Sequence, residues 1–552
     1  MPAQPAYQPL ATDDAVAGPS YPPSPVSARP PRRKRVSPAQ LARYVLLGAL
    51  ALLGVHSLAG YGRAAYSARF GPPAVAGLNM TSTAGGLVRD PTPLRTAASF
   101  FALAQREVAA RGLDTAGDKL GAALIDAYTR AAVPYCGVLA PVPEDNATHT
   151  HWAGGAVPPS AALCLPLHHD AFAKWWPYPH APCISTNLRA IPGSGRRFAA
   201  PGCELTAEGS ALLSDMGDEK FLGAELQPGG AECTSRVEHT LMVVHRQDQW
   251  NPFHVAEDLI TTVVVMLAAG AAVPALRDRR VQVVFNDEFG MDGNHFTPLW
   301  DRVGAWAPRR LSLDPWAEGE CLTNTIHSVG AGASLLSAMG VDTEFRAAST
   351  ITWAAAHYYR HLFGLTPRSL SPPTRRAINV LWLSRAKLDK VAEAAHDMSA
   401  WRAVRVLQNE DEVLQRIRRG LAEMCGAGSW CAFADARDEP EGWGSPPGPG
   451  ATPVRFAAID PTVHAVETQI HYAGHASLLV GQHGGALGLG LFLPPGDGAI
   501  MELQVEEARA NHHFEHLAYE TGQRYEMVEI KVKVDAEHVW GRIKAMVEEL
   551  AK

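Results

Sequence analysis

The chain has 552 residues, enough for two or three domains with large buried cores. Hydrophobic residues make up 47% and charged residues 19%, a globular balance that excludes a wholly disordered chain. A net charge of −7 shows no basic excess and excludes a nucleic-acid-binding role.

Residues 1–43 are rich in Pro, Ala and Ser and carry the basic run Arg32-Arg33-Lys34-Arg35, followed by Arg43, so they read as a disordered cytosolic tail. Residues 44–60 (YVLLGALALLGVHSLAG) are about long enough to cross a bilayer. Basic residues before this segment and few after it put the N-terminus in the cytoplasm. The n-region is too long for a typical cleaved signal peptide, so a retained signal anchor is expected, with the bulk of the chain in a lumen. Residues 61–93, dominated by Gly, Ala, Pro, Ser and Thr, form a stem.

The lumenal reading accounts for two acceptor sequons, at Asn79 and Asn146, as glycosylation sites. It also accounts for eight cysteines with no C-x-x-C spacing. That pattern argues against a zinc site and for disulfides, with Cys425 and Cys431 close enough to pair. The other cysteines cannot be paired from spacing.

Residues 96–128 have helical periodicity, whereas 134–230 read as loop-rich. From 240 the pattern sharpens: 240–245 and 281–285 are strands, with an apolar helix over 254–269 between them. Residues 332–339 and 351–362 are further helical stretches, and 367–374 (PRSLSPPT) read as a linker. Beyond it, strands over 377–384, 402–407, 455–459 and 477–480 alternate with helices over 410–423 and 461–472. This alternation predicts a parallel, doubly wound α/β sheet. Residues 438–452 read as an exposed insertion, and 535–552 as a closing helix.

The stretch that carries most chemistry is 478–503 (LLVGQHGGALGLGLFLPPGDGAIMEL), a buried strand, a glycine-dense turn, a short apolar helix and a second buried strand. Such a unit presents backbone N–H groups to an anion. His483 can donate to a phosphate, Gly484 and Gly485 admit close approach, and Glu502 can accept from ribose hydroxyls. The turn lacks the Lys-Ser/Thr of a P-loop and is not completed to G-x-G-x-x-G. His483-Gly484-Gly485 is like the oxyanion strand of lipases, but no G-x-S-x-G elbow occurs. The alternative is a glycine-rich core turn with a satisfied histidine.

Upstream, Asn251 precedes a helix on which Asp258 follows His254 by one turn, a spacing suited to a general base oriented by a carboxylate. Equally, Asn251 caps that helix while His254 and Asp258 pair at its surface. Ser384-Arg385 ends a buried strand, where an arginine fork suits a pyrophosphate or makes a salt bridge. Asn409-Glu410-Asp411-Glu412 reads as a helix N-terminus. No D-x-D or H-E-x-x-H occurs.

In the order and spacing of these motifs, residues 240–530 resemble glycosyltransferase family 61. The family includes plant-type β-1,2-xylosyltransferases and secretory-pathway O-GlcNAc transferases. The matching residues are Asn251, His254 and Asp258, then Ser384 and Arg385, then Arg405, Asn409, Glu410 and Glu412. Gly481, His483 and Gly484 follow, then Phe492, Pro494, Pro495, Gly496 and Glu502. Gly488 and Leu489 depart from it, standing where the family has Thr or Ser and Asn.

The resemblance implies a GT-B-like fold, with an acceptor-side domain over 94–370 and a nucleotide-sugar-binding domain over 371–534 facing a cleft. It implies inverting transfer from a UDP-sugar to a glycan or glycoprotein hydroxyl without an obligatory cofactor or metal. In that scheme Arg385, His483, Gly484 and Gly485 hold the diphosphate, Glu502 the ribose, and His254 or Asp258 acts as base. UDP-xylose is the first expectation for the donor and UDP-GlcNAc the second, in a Golgi or ER membrane. A catalytically inactive lumenal carbohydrate-binding or scaffold protein is the reading from another class.

Overall fold

Two sheets organise the chain, and helices from both halves of the sequence pack between them. The computed structural model describes residues 89–141, 159–167, 180–192, 197–216, 226–227, 232–248, 251–287, 296–329, 335–336, 346–365, 377–386, 407–436, 443, 450–506, 509, 511–531 and 533–552, all within one compact unit, Met80–Lys552. The expected tail and anchor, both sequons, the 367–374 linker, most of the helical stretch expected over 332–339, all but the last residue of the strand expected over 402–407, with its Arg405, and most of the expected 438–452 insertion lie outside the described residues.

The folded body starts slightly earlier than the expected end of the stem, because Asp90 already pairs with Val303. The helical stretch read over 96–128 is two helices, α1 (Pro93–Ala110) and α2 (Ala122–Arg130). Between them Gly112, Ala116, Gly117 and Asp118 all have positive φ, which no helix tolerates.

The 134–230 stretch is less irregular than its composition suggests. It supplies β1 (Val133–Cys136), β2 (Ala161–Cys164), β3 (Cys183–Ala190), β4 (Phe198–Ala199), the helix α3 (Ala207–Met216) and β5 (Leu226–Gln227). These join β6 (Ser235–Val244), β7 (Val281–Phe285), β8 (Arg309–Arg310) and β9 (Glu320–His327) in a nine-stranded sheet of order β1-β2-β3-β9-β6-β7-β8. The strands β9, β6, β7 and β8 run parallel, while β1, β2 and β3 extend the sheet antiparallel.

Three disulfides brace this sheet. Cys136 bonds Cys203, Cys164 bonds Cys183 across facing positions of β2 and β3, and Cys233 bonds Cys321. Cys425 bonds Cys431 as its spacing suggested. With no free cysteine remaining, the chain is suited to an oxidising secretory or extracellular compartment.

Between β6 and β7 lies α4 (Pro252–Ala272), making the expected parallel βαβ unit. This helix is apolar and long enough to cross a membrane, yet 89% of its most apolar window is buried within the protein. It is the core helix, apolar on all sides because it is covered on all sides. A later helix, α5 (Thr350–Leu362), is also almost wholly buried.

Among the described residues the second sheet is six-stranded and all parallel, in the order β11 (Cys431–Asp435), β12 (Thr452–Ile459), β10 (Ile378–Leu383), β13 (Leu478–Gln482), β14 (Ala499–Gln504), β15 (Arg524–Glu529). Every residue of β10, β13 and β14 is buried, as expected for strands covered on both faces. On one face, Val380, Trp382 and Met501 pack beneath α6 (Glu410–Met424) and the closing helix. On the other, Leu381, Leu479 and Ile500 join α7 (Val466–His475), α8 (His513–Glu520) and a core continuous with α4, α5 and the first sheet. The closing helix, α9 (Ala536–Leu550), is capped by Asp535 and sets Trp540 against Gly420.

The halves are joined by polar bonds as well as by this shared core. Arg360 on α5 donates to the carbonyls of Gly474 and Phe492, at 2.8 and 2.6 Å. Thr352 donates to Glu520 Oε2 at 2.6 Å, and Ser349 N donates to the Glu520 carbonyl. Glu520 is wholly buried, and that burial pushes its carboxyl up to about 8, with the Thr352 bond acting against the rise.

Because the folded pKa is raised, this group's stabilisation is full below about 4.5, its unfolded value, and is lost as pH rises through about 8. Denaturant unfolding of Glu520→Gln should match the wild type near pH 4 and exceed its stability at pH 9 by roughly 2–4 kcal/mol.

Candidate functional site

The second sheet reverses its winding between β10 and β13. Among the described strands, the chain crosses from β10 to β11 at one edge, steps back to β12 beside β10, then passes to β13 on the other side of β10 and builds that way through β14 and β15. Parallel sheets bind ligands outside the carboxyl ends of strands at such a switch point. Here those ends carry Ser384-Arg385 and His483-Gly484-Gly485.

Glu410, at the start of α6, holds the first of these ends. Its buried carboxylate accepts from Trp382 Nε1 at 2.6 Å and from Ser384 Oγ at 3.1 Å. Arg385 then lies across the second end, its guanidinium so near Gly484 that a Cβ there would meet it at 2.6 Å. The expected juxtaposition of Arg385 with the glycine turn is present.

Glu502 has a different task from the one expected. It is fully buried, and both carboxylate oxygens are engaged within the protein: Oε1 with His483 Nδ1, and Oε2 with Tyr525, whose hydroxyl donates at 2.6 Å. A carboxylate so committed orients His483 and does not face a ribose. Gln504 adds a 3.4 Å contact to the same oxygen and donates to the Asn511 carbonyl at 3.1 Å.

At the start of α4, Asn251 accepts from Phe253 N at 3.0 Å, so it is the helix cap. The His254 partner expected one turn on is displaced by one residue. His254 Nδ1 bonds Glu257 Oε2 at 2.6 Å, while both oxygens of Asp258 accept from Gln247 N at 3.1–3.2 Å. Positions i+3 and i+4 share a helix face. The loop after β6 decides between them by offering Asp258 a backbone donor.

Burial raises both carboxyls, with His254 opposing the rise at Glu257. At Asp258 the charges of Glu257 and Asp287 add to burial, opposed by Gln247 N and by Arg246. Arg246 itself is buried and forks onto Asp287 at 2.6 and 2.8 Å. Asp258 is therefore part of the frame at the carboxyl edge of the first sheet. The group facing outward is His254, whose side chain keeps 22% of its exposure above a wholly buried Glu257.

The two motif sets meet because the glycine turn lies against α4. The short helix expected after the turn is a 3₁₀ helix, Gly485–Phe492. A Cβ on Gly485 would fall 2.0 Å from Asn251 Oδ1, and one on Gly488 would fall 2.6 Å from the backbone of Pro252 and Phe253. Gly488 and Leu489, the departures from the resemblance, thus have a packing reason. Gly488 admits the α4 backbone, and Leu489 is fully buried.

Aromatic rings complete the junction. Phe253 stacks on His513 at 4.6 Å and meets Phe514 edge-on at 5.4 Å, and Phe514 meets His483 at 5.5 Å. The site therefore holds two imidazoles, each with a buried glutamate on its Nδ1 side, one from each half of the chain. Glu257, Tyr525 and His513 were not legible as site residues. The available signal was the His-rich run Asn511-His512-His513, which has no motif spacing.

Among the described residues, no cluster of three or more His, Cys, Asp or Glu side chains is placed to share a metal ion. No protein-family model matches the chain, and comparison with curated proteins gives no match either.

Gly488→Ser, which restores a residue type of the resembled family, should overpack the α4 junction and cost roughly 1–3 kcal/mol. The measurement is the shift in thermal or denaturant midpoint of the full chain.

Proposed function

We propose that the protein is an inverting glycosyltransferase of the family 61 type with a GT-B-like arrangement, transferring a sugar from a UDP-sugar to a glycan or glycoprotein hydroxyl in the secretory pathway. The observation that carries this reading is the convergence at the winding switch. Arg385 and the His483–Glu502 pair at the carboxyl edge of the parallel sheet lie beside the His254–Glu257 pair on α4.

The chemistry follows from the residues. Arg385, His483 and the amides of Gly484 and Gly485 supply positive charge and donors for a diphosphate. With Nδ1–H directed at Glu257, His254 presents Nε2 as its basic nitrogen. It takes the proton of the acceptor hydroxyl as that oxygen attacks the anomeric carbon. The bond from that carbon to the β-phosphate oxygen breaks on the opposite face, and UDP leaves with the electron pair. Glu257 stabilises the imidazolium that forms, and the donor sets at Arg385 and His483 offset the charge on UDP. UDP-xylose is the first donor to test and UDP-GlcNAc the second. A Golgi or ER membrane anchored through residues 44–60 is the proposed setting.

The test is a thermal-shift series on the full chain in detergent with UDP, UDP-xylose, UDP-GlcNAc and GDP, each with and without EDTA. Ligands that bind only the folded state raise the melting temperature. UDP should raise it regardless of EDTA, and Arg385→Ala or His483→Ala should abolish the rise. His254→Ala should keep the UDP shift yet slow UDP release from the bound UDP-sugar by about 10²–10⁴-fold. No shift with any nucleotide overturns the transferase reading in favour of the inactive scaffold.

A further inference from the structure

His513 belongs to none of the sequence motifs, yet it occupies the centre of the junction. Its ring lies flat on Phe253, at 4.6 Å between centroids and 16° between planes, and Phe253 also borders His254 at 5.8 Å. The next residue, Phe514, borders His483. His513 is thus linked through the Phe253 ring to His254 and through Phe253 and Phe514 to His483.

The segment carrying it is anchored. Asn511 Oδ1 accepts from His513 N at 3.1 Å, and Gln504 ties the Asn511 carbonyl to the His483–Glu502 pair. Among the described residues, however, no group hydrogen bonds to the His513 ring nitrogens. Every other histidine in this cluster has a hydrogen-bonding partner or a polar interaction of its own: His254 with Glu257, His483 with Glu502, His512 with Glu515.

We propose that His513 is a donor-sugar-recognising residue, its imidazole meeting a hydroxyl of the transferred sugar between the base His254 and the diphosphate-binding His483. The assignment rests on the transferase reading, and geometry supports it. In an inverting displacement the anomeric carbon lies between the base and the leaving group, so the ring it belongs to passes the position His513 occupies.

The charge state is matched to a hydroxyl and not to a phosphate. Burial, reinforced by His483 and His254 and by His516 and His512, pushes the His513 imidazole down to about 3. The ring is therefore neutral near pH 7. A neutral imidazole has one donor and one acceptor nitrogen, the complement of a hydroxyl, which also donates and accepts. The flat stack on Phe253 fixes the plane in which both nitrogens lie.

The discriminating variant is His513→Phe, which keeps a ring on Phe253 but has no nitrogen; His513→Asn restores a donor and an acceptor without the ring. Dissociation constants of UDP, UDP-xylose and UDP-GlcNAc are measured by calorimetry on the full chain for wild type and both variants. His513→Phe should leave UDP binding within about twofold, while the accepted UDP-sugar weakens about 5–10-fold relative to UDP, one lost hydrogen bond. His513→Asn should recover part of that loss.

An unchanged ratio between UDP-sugar and UDP in His513→Phe overturns the assignment. So does an equal loss for both ligands, which would place His513 at the diphosphate or in the packing alone. If wild type binds UDP and these results follow, only the role of His513 fails. If wild type binds no UDP, the transferase reading fails, and the assignment falls with it.

Discussion

The structure depends on one close approach, that of the 3₁₀ helix Gly485–Phe492 to the first turn of α4. At Gly488 the two backbones come within the distance a single methyl group would fill, and at Gly485 the same holds for the Asn251 side chain. Dispersion and burial across such a contact are gained only if no side chain intervenes. The consequence is chemical as well as mechanical. The contact sets Asn251, Phe253 and His254 from one half of the chain beside His483 and Arg385 from the other. The apolar core then runs unbroken from the first sheet to the second, and the Arg360 and Glu520 bonds on α5 add polar ties across the same seam.

Electrostatics refine what packing assembles. Two histidines at the junction each have a glutamate with no exposed surface on the Nδ1 side, so the orientation of each ring is set from beneath. A third, His513, has no such partner and is kept neutral by burial and by its neighbours. The imidazoles gathered here therefore differ according to what lies behind each ring, a buried glutamate for His254 and His483 and none for His513. Burial of carboxylates is costly, and the cost shows in the raised carboxyls of Glu257 and Asp258, at Asp258 with the charges of Glu257 and Asp287 added. Arg246 and Asp287 neutralise each other at the same edge and limit the net charge there.

Much of the second half was legible before any coordinates. Short, largely apolar runs such as 378–383 and 478–480 read as strands buried on both faces, and they alternate with the amphipathic 410–424, so a parallel sheet followed. The β6–α4–β7 unit was legible for the same reason. The 134–230 stretch was not, because β1 to β5 are two to eight residues long, and three disulfides supply part of the stabilisation that longer apolar strands would otherwise provide. Composition there reflects loops, while pairing with β9 makes the strands.

What the amino-acid order determined by itself was the set of chemically able residues and the ends of the elements that carry them. Arg385 follows a strand, His483 enters a glycine turn, and Asn251 caps a helix bearing His254. These are local facts, encoded within a few residues of each position. Only the tertiary structure decided which carboxylate each histidine would own. Glu257 and Asp258 are adjacent on one helical face, and the backbone of Gln247, brought in by β6, takes Asp258 and leaves Glu257 to His254. Glu502 is turned inward because Tyr525, from a strand that local pattern did not disclose, supplies its second bond. His513 reaches the site only because Phe253, 260 positions earlier in the chain, is there to stack on it. Such partnerships join residues far apart in sequence, and local periodicity contains no term for them.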